Sequence, residues 1–233
     1  MSRPYIICHM VTSLDGKVTG DFLSVPACKA ATDVYYEINR SRRSNGFICG
    51  RVTMEGSFTG GWYPDLSAYP PISTCRDFIP DKASLSGFYA VAFDTHGRLG
   101  WQTGRIVDPD GDPGYDSAQI VEVLSEAVDK RYLGYLESLE IPYLFAGETA
   151  IDIQTALAKL KLLLGIDTLL LEGGSIINGA FQRADAIDEL SLVISPLIAD
   201  KDDKPLFFDA NTDTFQLVSA ETNSGVPVLC YKK

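Results

Sequence analysis

Apolar and polar residues succeed one another along this chain in a pattern that predicts alternating strands and helices. Apolar runs rich in β-branched residues, bounded by Gly, Asp or Pro, predict strands. These runs cover residues 4–13, 46–50, 88–94, 141–147, 166–174 and 186–198, and a hairpin follows over 215–224 and 226–233. Helical periodicity occurs between them, over residues 29–44, 117–139, 152–165 and 175–184.

The helical stretches differ in how clearly their ends are marked. Residues 152–165 have Asp152 in the N-cap position and Gly165 in the C-cap position, so their limits are well defined. Residues 29–44 place Ala31 and Val34 on one apolar face. The stretch 117–139 predicts two helices that are broken near Asp129.

Strands that alternate with helices predict an α/β fold, with a mainly parallel sheet and helices on both faces. The C-terminal hairpin adds antiparallel strands at one edge of that sheet. The sequence contains neither an internal repeat nor a linker, so we predict one domain over residues 1–233.

Composition narrows the possible functions. The formal net charge of -11 argues against a nucleic-acid surface, which needs a basic stripe, but leaves room for a locally bound anion. Five cysteines without a C-x-x-C pair and only two histidines predict no disulfide framework and no metal site. No apolar run reaches membrane-spanning length and no secretion signal is evident, so we predict a cytoplasmic protein without membrane or nucleic-acid partners.

The stretch EGGSIINGAF, residues 172–181, joins a predicted strand to a predicted helix through Gly173 and Gly174. A helix N-terminus offers unpaired N–H groups to a phosphate, and glycines let that phosphate approach the backbone. A tight turn without a ligand explains the glycines equally well. The P-loop is excluded because no Gly-Lys-Ser/Thr follows, and the spacing does not fit the dinucleotide fingerprint G-x-G-x-x-G.

The stretch HMVTSLDGKV places His9, Ser13, Asp15 and Lys17 close together in sequence. A local Ser-His-Asp triad is excluded, because His9 and Ser13 on one strand lie roughly 13 Å apart at 3.3 Å per residue. His9 is either directed into a pocket or satisfied within the core. Asp15-Gly16-Lys17 also fits a plain turn.

Two further strand ends carry cations. Arg51 and Thr53 follow the predicted strand at 46–50, and Arg98 follows the one at 88–94. Ligands of doubly wound sheets lie outside the carboxyl ends of the strands, so three such ends favour a small polyanionic ligand.

Together, the strings SLDGKV, GRVTME, DTHGRL and LLLEGGSIINGAFQRADAIDELSLVISPLI resemble the reductase of riboflavin biosynthesis. That family comprises the C-terminal domain of the bacterial deaminase–reductase and the stand-alone reductases of archaea and fungi. It belongs to the dihydrofolate reductase-like superfamily. The resemblance extends from residue 3 to the closing hairpin and is most specific over residues 169–197.

The resemblance implies a dihydrofolate reductase-like three-layer fold, NADPH as cofactor and a homodimer. The implied reaction is hydride transfer to the ribosyl C1′ of a phosphoribosylamino-pyrimidine, which gives the ribityl product. The implied roles divide the residues into three sets. The cofactor phosphates would contact Gly173, Gly174, Ser175 and Ile176, the adenosine half of the cofactor would contact Arg51, Thr53 and Arg98, and the junction of nicotinamide and substrate would be lined by Ser13, Asp15 and Lys17.

Asp15 is the first candidate for a catalytic acid or an orienting group, His9 the second, and Lys17 is a candidate for stabilising negative charge. Arg76 or Lys82, in the irregular segment 56–87, is expected to contact the substrate 5′-phosphate.

Two departures from the family pattern affect these expectations. His9 stands where bacterial members carry lysine and archaeal members asparagine, and ADKDDKP follows SPLI where the family has glycine. Three alternatives therefore remain. They are a reductase of the same fold for another pyrimidine, pteridine, carbonyl or imine, a non-catalytic NADPH-binding protein, and an unrelated α/β protein with an ordinary turn.

Overall fold

The computed structural model describes residues 2–81 and 87–233. These residues form two compact units. Unit 1 comprises residues 2–4, 45–81 and 87–167, and unit 2 comprises residues 5–44 and 168–233. The single domain over 1–233 stays a prediction.

Unit 1 contains four parallel strands in the order β5-β4-β3-β2. The strands are β2 (Gly46–Gly50), β3 (Tyr89–Phe93), β4 (Gln119–Leu124) and β5 (Tyr143–Phe145). Its helices are α2 (Arg51–Met54), which continues into a π-helical turn at Glu55–Thr59, α3 (Lys130–Ser138) and α4 (Ile153–Leu164), with a short 3-10 helix at Leu66–Ala68.

Unit 2 contains five strands in the order β6-β1-β7-β9-β8, of which the first three are parallel and the last two antiparallel. The strands are β1 (Tyr5–Thr12), β6 (Thr168–Leu171), β7 (Glu189–Ile194), β8 (Gln216–Asn223) and β9 (Val226–Lys232). Its helices are α1 (Lys29–Ser41) and α5 (Ser175–Arg183), with 3-10 helices at Asp21–Ser24 and Pro26–Cys28. The predicted α/β class, the mainly parallel strands and the terminal hairpin are confirmed.

The core of unit 2 forms where α1 packs on the strands. Ala31 and Val34, the predicted apolar face of α1, are buried in one cluster with Val11 of β1 and Val193 of β7. Burying a valine side chain contributes about 1.5–3 kcal/mol, so this face stabilises the packing of α1 on the sheet.

One predicted helix is wrong. The first part of residues 117–139 forms the strand β4, and only Lys130–Ser138 is helical. All six residues of β4 are buried between two parallel neighbours, β3 and β5. A strand buried on both faces does not show period-two alternation, so the run QIVEVL looked like part of a helix.

No helix within residues 2–81 and 87–233 is both long and apolar enough to cross a membrane. In the same residues, no group of three or more His, Cys, Asp or Glu side chains is arranged to hold a metal ion.

Candidate active site

Unit 2 brings together eight of the predicted site residues. The strands β1 and β6 are parallel, and Cys8 pairs with Leu171 at the end of β6, so residues after both strands lie at the same edge of the sheet. That edge carries His9, Ser13, Asp15 and Lys17 on or after β1, and Gly173, Gly174, Ser175 and Ile176 after β6.

The turn after β1 holds Asp15 in a defined position. The buried hydroxyl of Ser13 donates to Oδ1 of Asp15 at 2.6 Å, and the Ala199 N–H donates to the same oxygen at 3.0 Å. These hydrogen bonds, that of Ser13 first, lower the pKa of Asp15 from its usual range. Asp15 is exposed and both donors bind Oδ1, so the turn presents an ionised carboxylate.

Lys17 is directed to backbone rather than to a carboxylate. Its ammonium donates to the carbonyl of Asp203 at 2.8 Å and to that of Lys201 at 3.4 Å. The loop 197–206 is further joined to this turn by backbone hydrogen bonds between Leu14 and Leu197 and between Gly16 and Leu206. Lys17 therefore stabilises the acidic loop that the sequence marked as a departure from the family.

His9 has a complete set of partners inside unit 2. Its Nε2 lies 3.0 Å from the carbonyl of Tyr35 and its Nδ1 lies 3.0 Å from the Ser191 hydroxyl. A carbonyl only accepts, so Nε2 carries the proton and Nδ1 accepts from Ser191. The ring also stacks on Tyr35 at 4.4 Å.

Burial lowers the pKa of His9 to about 4, so the imidazole is neutral. Contact with a substrate would require one of these bonds to break, so His9 is not assigned a catalytic role.

The glycine turn after β6 is partly required by the fold. Gly173 has a φ of +97°, and a Cβ built on it would lie 3.1 Å from the Met10 side chain. Gly173 therefore has both a conformational and a packing reason to be glycine. Gly174 has a φ of -79°, which any residue adopts, so the conformational reason given for Gly173 does not apply there. The peptide bond between them is cis.

The start of α5 is anchored by side chains and open at its backbone. The hydroxyl of Ser175 donates to the Pro205 carbonyl, and the Phe208 N–H donates to the Ser175 carbonyl at 3.1 Å. Among the described residues, the N–H groups of Gly174, Ser175 and Ile176 donate to no backbone carbonyl. This half-exposed helix start is able to receive an anion, with Ser175 contributing its N–H rather than its hydroxyl.

Unit 1 contains the other four predicted site residues. Gly50 pairs with Phe93, so Arg51 and Asp94 are the next residues on two neighbouring parallel strands. Arg51 and Thr53 lie on α2. Arg98 lies in the loop after β3, which Asp94 organises by accepting from the backbone N–H groups of Arg98 and Leu99. The donor set at these strand ends suits the phosphorylated adenosine half of a dinucleotide.

Arg76 lies elsewhere in unit 1. Its segment adds to the edge strand β5, because Phe78 forms an antiparallel bridge with Tyr143. Three inter-strand spacings, roughly 14 Å, separate β5 from β2, so Arg76 is not grouped with Arg51. Lys82, the other cation expected near a substrate phosphate, falls outside the described residues.

Sequence reasoning missed two acidic residues. Asp94 is 1% exposed, and burial raises its pKa although three backbone N–H groups donate to it. Glu55 pairs with Arg51 at 2.6 Å. Two signals in the sequence point to them. Asp94 directly follows an apolar strand, and Glu55 stands four residues after Arg51 on a helix.

Comparisons with known proteins agree with this fold. Residues 113–228 match the family described as the RibD C-terminal domain. RibD of Acinetobacter baumannii is 18% identical with a TM-score of 0.66, over 99% of this chain and 58% of that one. A pyrimidine reductase-like protein of Corynebacterium diphtheriae is 16% identical with a TM-score of 0.66, over 98% of this chain and 91% of that one.

The riboflavin biosynthesis reductase of Saccharomyces cerevisiae is 15% identical with a TM-score of 0.58, over 99% of this chain and 90% of that one. These identities are low, so the structures are similar in fold. This chain covers 58% of the length of the A. baumannii protein. A search of curated proteins gives no match.

Proposed function

We propose that this chain, which belongs to the RibD C-terminal domain family, is an NADPH-dependent reductase of the riboflavin-biosynthesis type. The proposed reaction reduces the ribosyl group of a phosphoribosylamino-pyrimidine to ribityl. The observation that supports it most is the sheet edge of unit 2, where an ionised Asp15 and an open helix start follow two adjacent parallel strands.

In this proposal the residues of unit 2 bind and orient. The N–H groups of Gly174, Ser175 and Ile176 hold the cofactor pyrophosphate at the start of α5. The bound nicotinamide supplies the hydride. Asp15 takes the orienting role rather than the acid role, because the hydrogen bonds that lower its pKa keep it ionised. Its fixed carboxylate stabilises positive charge on the ring-opened imine that accepts the hydride.

The remaining assignments are proposed from the family and from composition. Arg51, Thr53 and Arg98 would contact the adenosine half of NADPH. The family suggests a homodimer. A cytoplasmic protein without nucleic-acid partners agrees with the net charge of -11 and with five cysteines that form no disulfide among the described residues. Light scattering of the purified protein measures the oligomeric state directly.

A second function in the same class is favoured by the position of Arg76. This exposed side chain lies beside the edge strand β5 and is not grouped with the other predicted cations of unit 1, Arg51 and Arg98. A reductase that acts on another pyrimidine, a pteridine, or a carbonyl or imine without a 5′-phosphate would not need a phosphate contact from Arg76.

The test is a titration of the protein with NADPH and with NADH, followed by single-turnover assays with 5-amino-6-(5-phosphoribosylamino)uracil and its dephosphorylated form. Trp62 is 44% exposed and is the expected fluorescence reporter, since Trp101 is only 4% exposed. Saturable NADPH binding with turnover of the phosphorylated compound supports the proposal. Turnover of the dephosphorylated form alone supports the second function, and absence of dinucleotide binding rejects both.

Replacing Gly174 with Val is expected to weaken NADPH binding by roughly tenfold or more, because a β-branched side chain would occupy the approach to the helix start. The measurement is the dissociation constant by calorimetry, with thermal unfolding of the free protein as the control for folding. An unchanged NADPH affinity in a folded variant would show that the phosphates bind elsewhere.

A further inference from the structure

The two arginines near the ends of β2 and β3 are in different electrostatic surroundings. Arg51 donates from Nη1 to Glu55 Oε2 at 2.6 Å, one helical turn away on the same side of the chain. Arg51 is also close enough to the buried Asp94 carboxylate to lower the pKa of Asp94, although burial raises that pKa more strongly. Two carboxylates therefore already compensate the charge of Arg51.

The Arg98 guanidinium, in contrast, is paired with no carboxylate among the described residues. Its backbone N–H is held by Asp94, which fixes the position of the loop, and its side chain is exposed. The Arg98 guanidinium forms no hydrogen bond or ion pair with any of residues 2–81 and 87–233. A guanidinium presents a planar fork of donors that suits a phosphate, and Arg98 has this fork unused.

We propose that Arg98, rather than Arg51, recognises the ribose 2′-phosphate of the cofactor, and that Glu55 limits this recognition by neutralising Arg51. This inference rests on the proposed dinucleotide site. It adds a specificity-determining carboxylate that acts against the phosphorylated cofactor, both by occupying Arg51 and by repelling the phosphate. An acidic residue near the adenosine ribose is the feature that favours a free 2′-hydroxyl, whereas arginine accommodates a 2′-phosphate.

The experiment uses the two adenosine fragments that differ only in this phosphate, 2′,5′-ADP and 5′-AMP, titrated calorimetrically into the full chain. Arg98→Met is expected to lower the 2′,5′-ADP affinity about tenfold or more, and Arg51→Met by less than about threefold. Glu55→Gln is expected to raise it about three- to tenfold, because it releases Arg51 and removes a like charge. The 5′-AMP affinity is expected to stay within about twofold in Glu55→Gln, and to fall less than the 2′,5′-ADP affinity in Arg98→Met.

The double variant Glu55→Gln/Arg98→Met gives the sharpest result. If Glu55 keeps Arg51 from the phosphate, the released Arg51 should recover most of the affinity lost in Arg98→Met. Asp33→Asn is the matched control, because Asp33 forms an exposed i,i+4 pair with Lys29 at 2.6 Å in unit 2 and its loss changes the net charge equally. This control is expected to leave both affinities within about twofold.

The possible failures are distinguishable. Equal or larger loss of 2′,5′-ADP binding in Arg51→Met than in Arg98→Met overturns the inference, as does a double variant that is no better than Arg98→Met. A wild-type protein that binds neither fragment nor NADPH rejects the proposed function itself. Thermal unfolding of each variant separates a loss of folding from a loss of binding.

Discussion

Asp15→Asn is expected to lower kcat/KM for the proposed pyrimidine substrate by about 100-fold or more, while NADPH affinity changes by less than about twofold. Asparagine retains an oxygen that accepts from Ser13 and Ala199, so the turn keeps its geometry and loses only its charge. The measurement is steady-state kinetics together with NADPH titration. Because hydrogen bonding lowers the pKa of Asp15, its ionisation should produce no inflection in the rate between about pH 5 and about pH 9.

A matched control separates this specific role from the general electrostatic field. Asp200→Asn removes the same charge from the adjoining loop, where Asp200 accepts from the backbone of Asp202 at 3.0 Å. It is expected to change kcat/KM by less than about threefold. If Asp15→Asn has no larger effect than Asp200→Asn, Asp15 is not an orienting group.

Glu122→Gln is expected to stabilise the protein increasingly as the pH rises above about 5. Glu122 is fully buried in β4, where Trp101 Nε1 donates to Oε1 at 2.5 Å and Oε2 has no partner among the described residues. Burial first, and the charge of Asp94 second, raise the pKa of Glu122 well above its usual value. The folded protein therefore holds a proton here that the unfolded chain releases.

The sign of the pH dependence follows from that proton. The stabilisation is fully present below the unfolded pKa of about 4.5 and is lost as the pH rises towards the folded pKa. Each pH unit in this window costs about 1.4 kcal/mol, a cost that glutamine does not incur. Denaturant unfolding at about pH 5 and about pH 8 measures it. The control is Glu126→Gln at an exposed position, and a wild-type pH dependence parallel to that of Glu122→Gln would falsify the assignment of a protonated Glu122.

Elements with local signals were predictable from the sequence. The caps of α4 are an example, since Asp152 accepts from the Thr155 N–H at 2.7 Å and Gly165 is left-handed, as their residue types indicate. The strand β4 was not predictable, because burial between two neighbours removes the alternation that distinguishes a strand. The EGGS turn was located correctly, but only the structure shows that Gly173 has a positive φ and packs on Met10.

The sequence predicted where most of the site residues lie, but not which groups their side chains bind. The carboxyl ends of β1, β2, β3 and β6 carry most of the predicted residues. Whether a side chain is available to a ligand depends on partners that are distant in sequence. Examples are Ser191 and Tyr35 for His9, and the loop 197–206 for Lys17. These partners are up to 186 residues away, and no local pattern encodes them.

Unit 2 is built from both ends of the chain, so strands that pair in it are synthesised at very different times. Ile6 and Asp188 share a hydrogen bond across 182 residues, and β1 has no β7 to pair with until that distance has been synthesised. At ribosomal rates this takes roughly 10 to 40 seconds. Residues 45–167, with four strands of their own, emerge well before it ends. The apolar strand β1 therefore stays without its neighbours β6 and β7 for most of translation, whereas the strands of unit 1 meet theirs earlier.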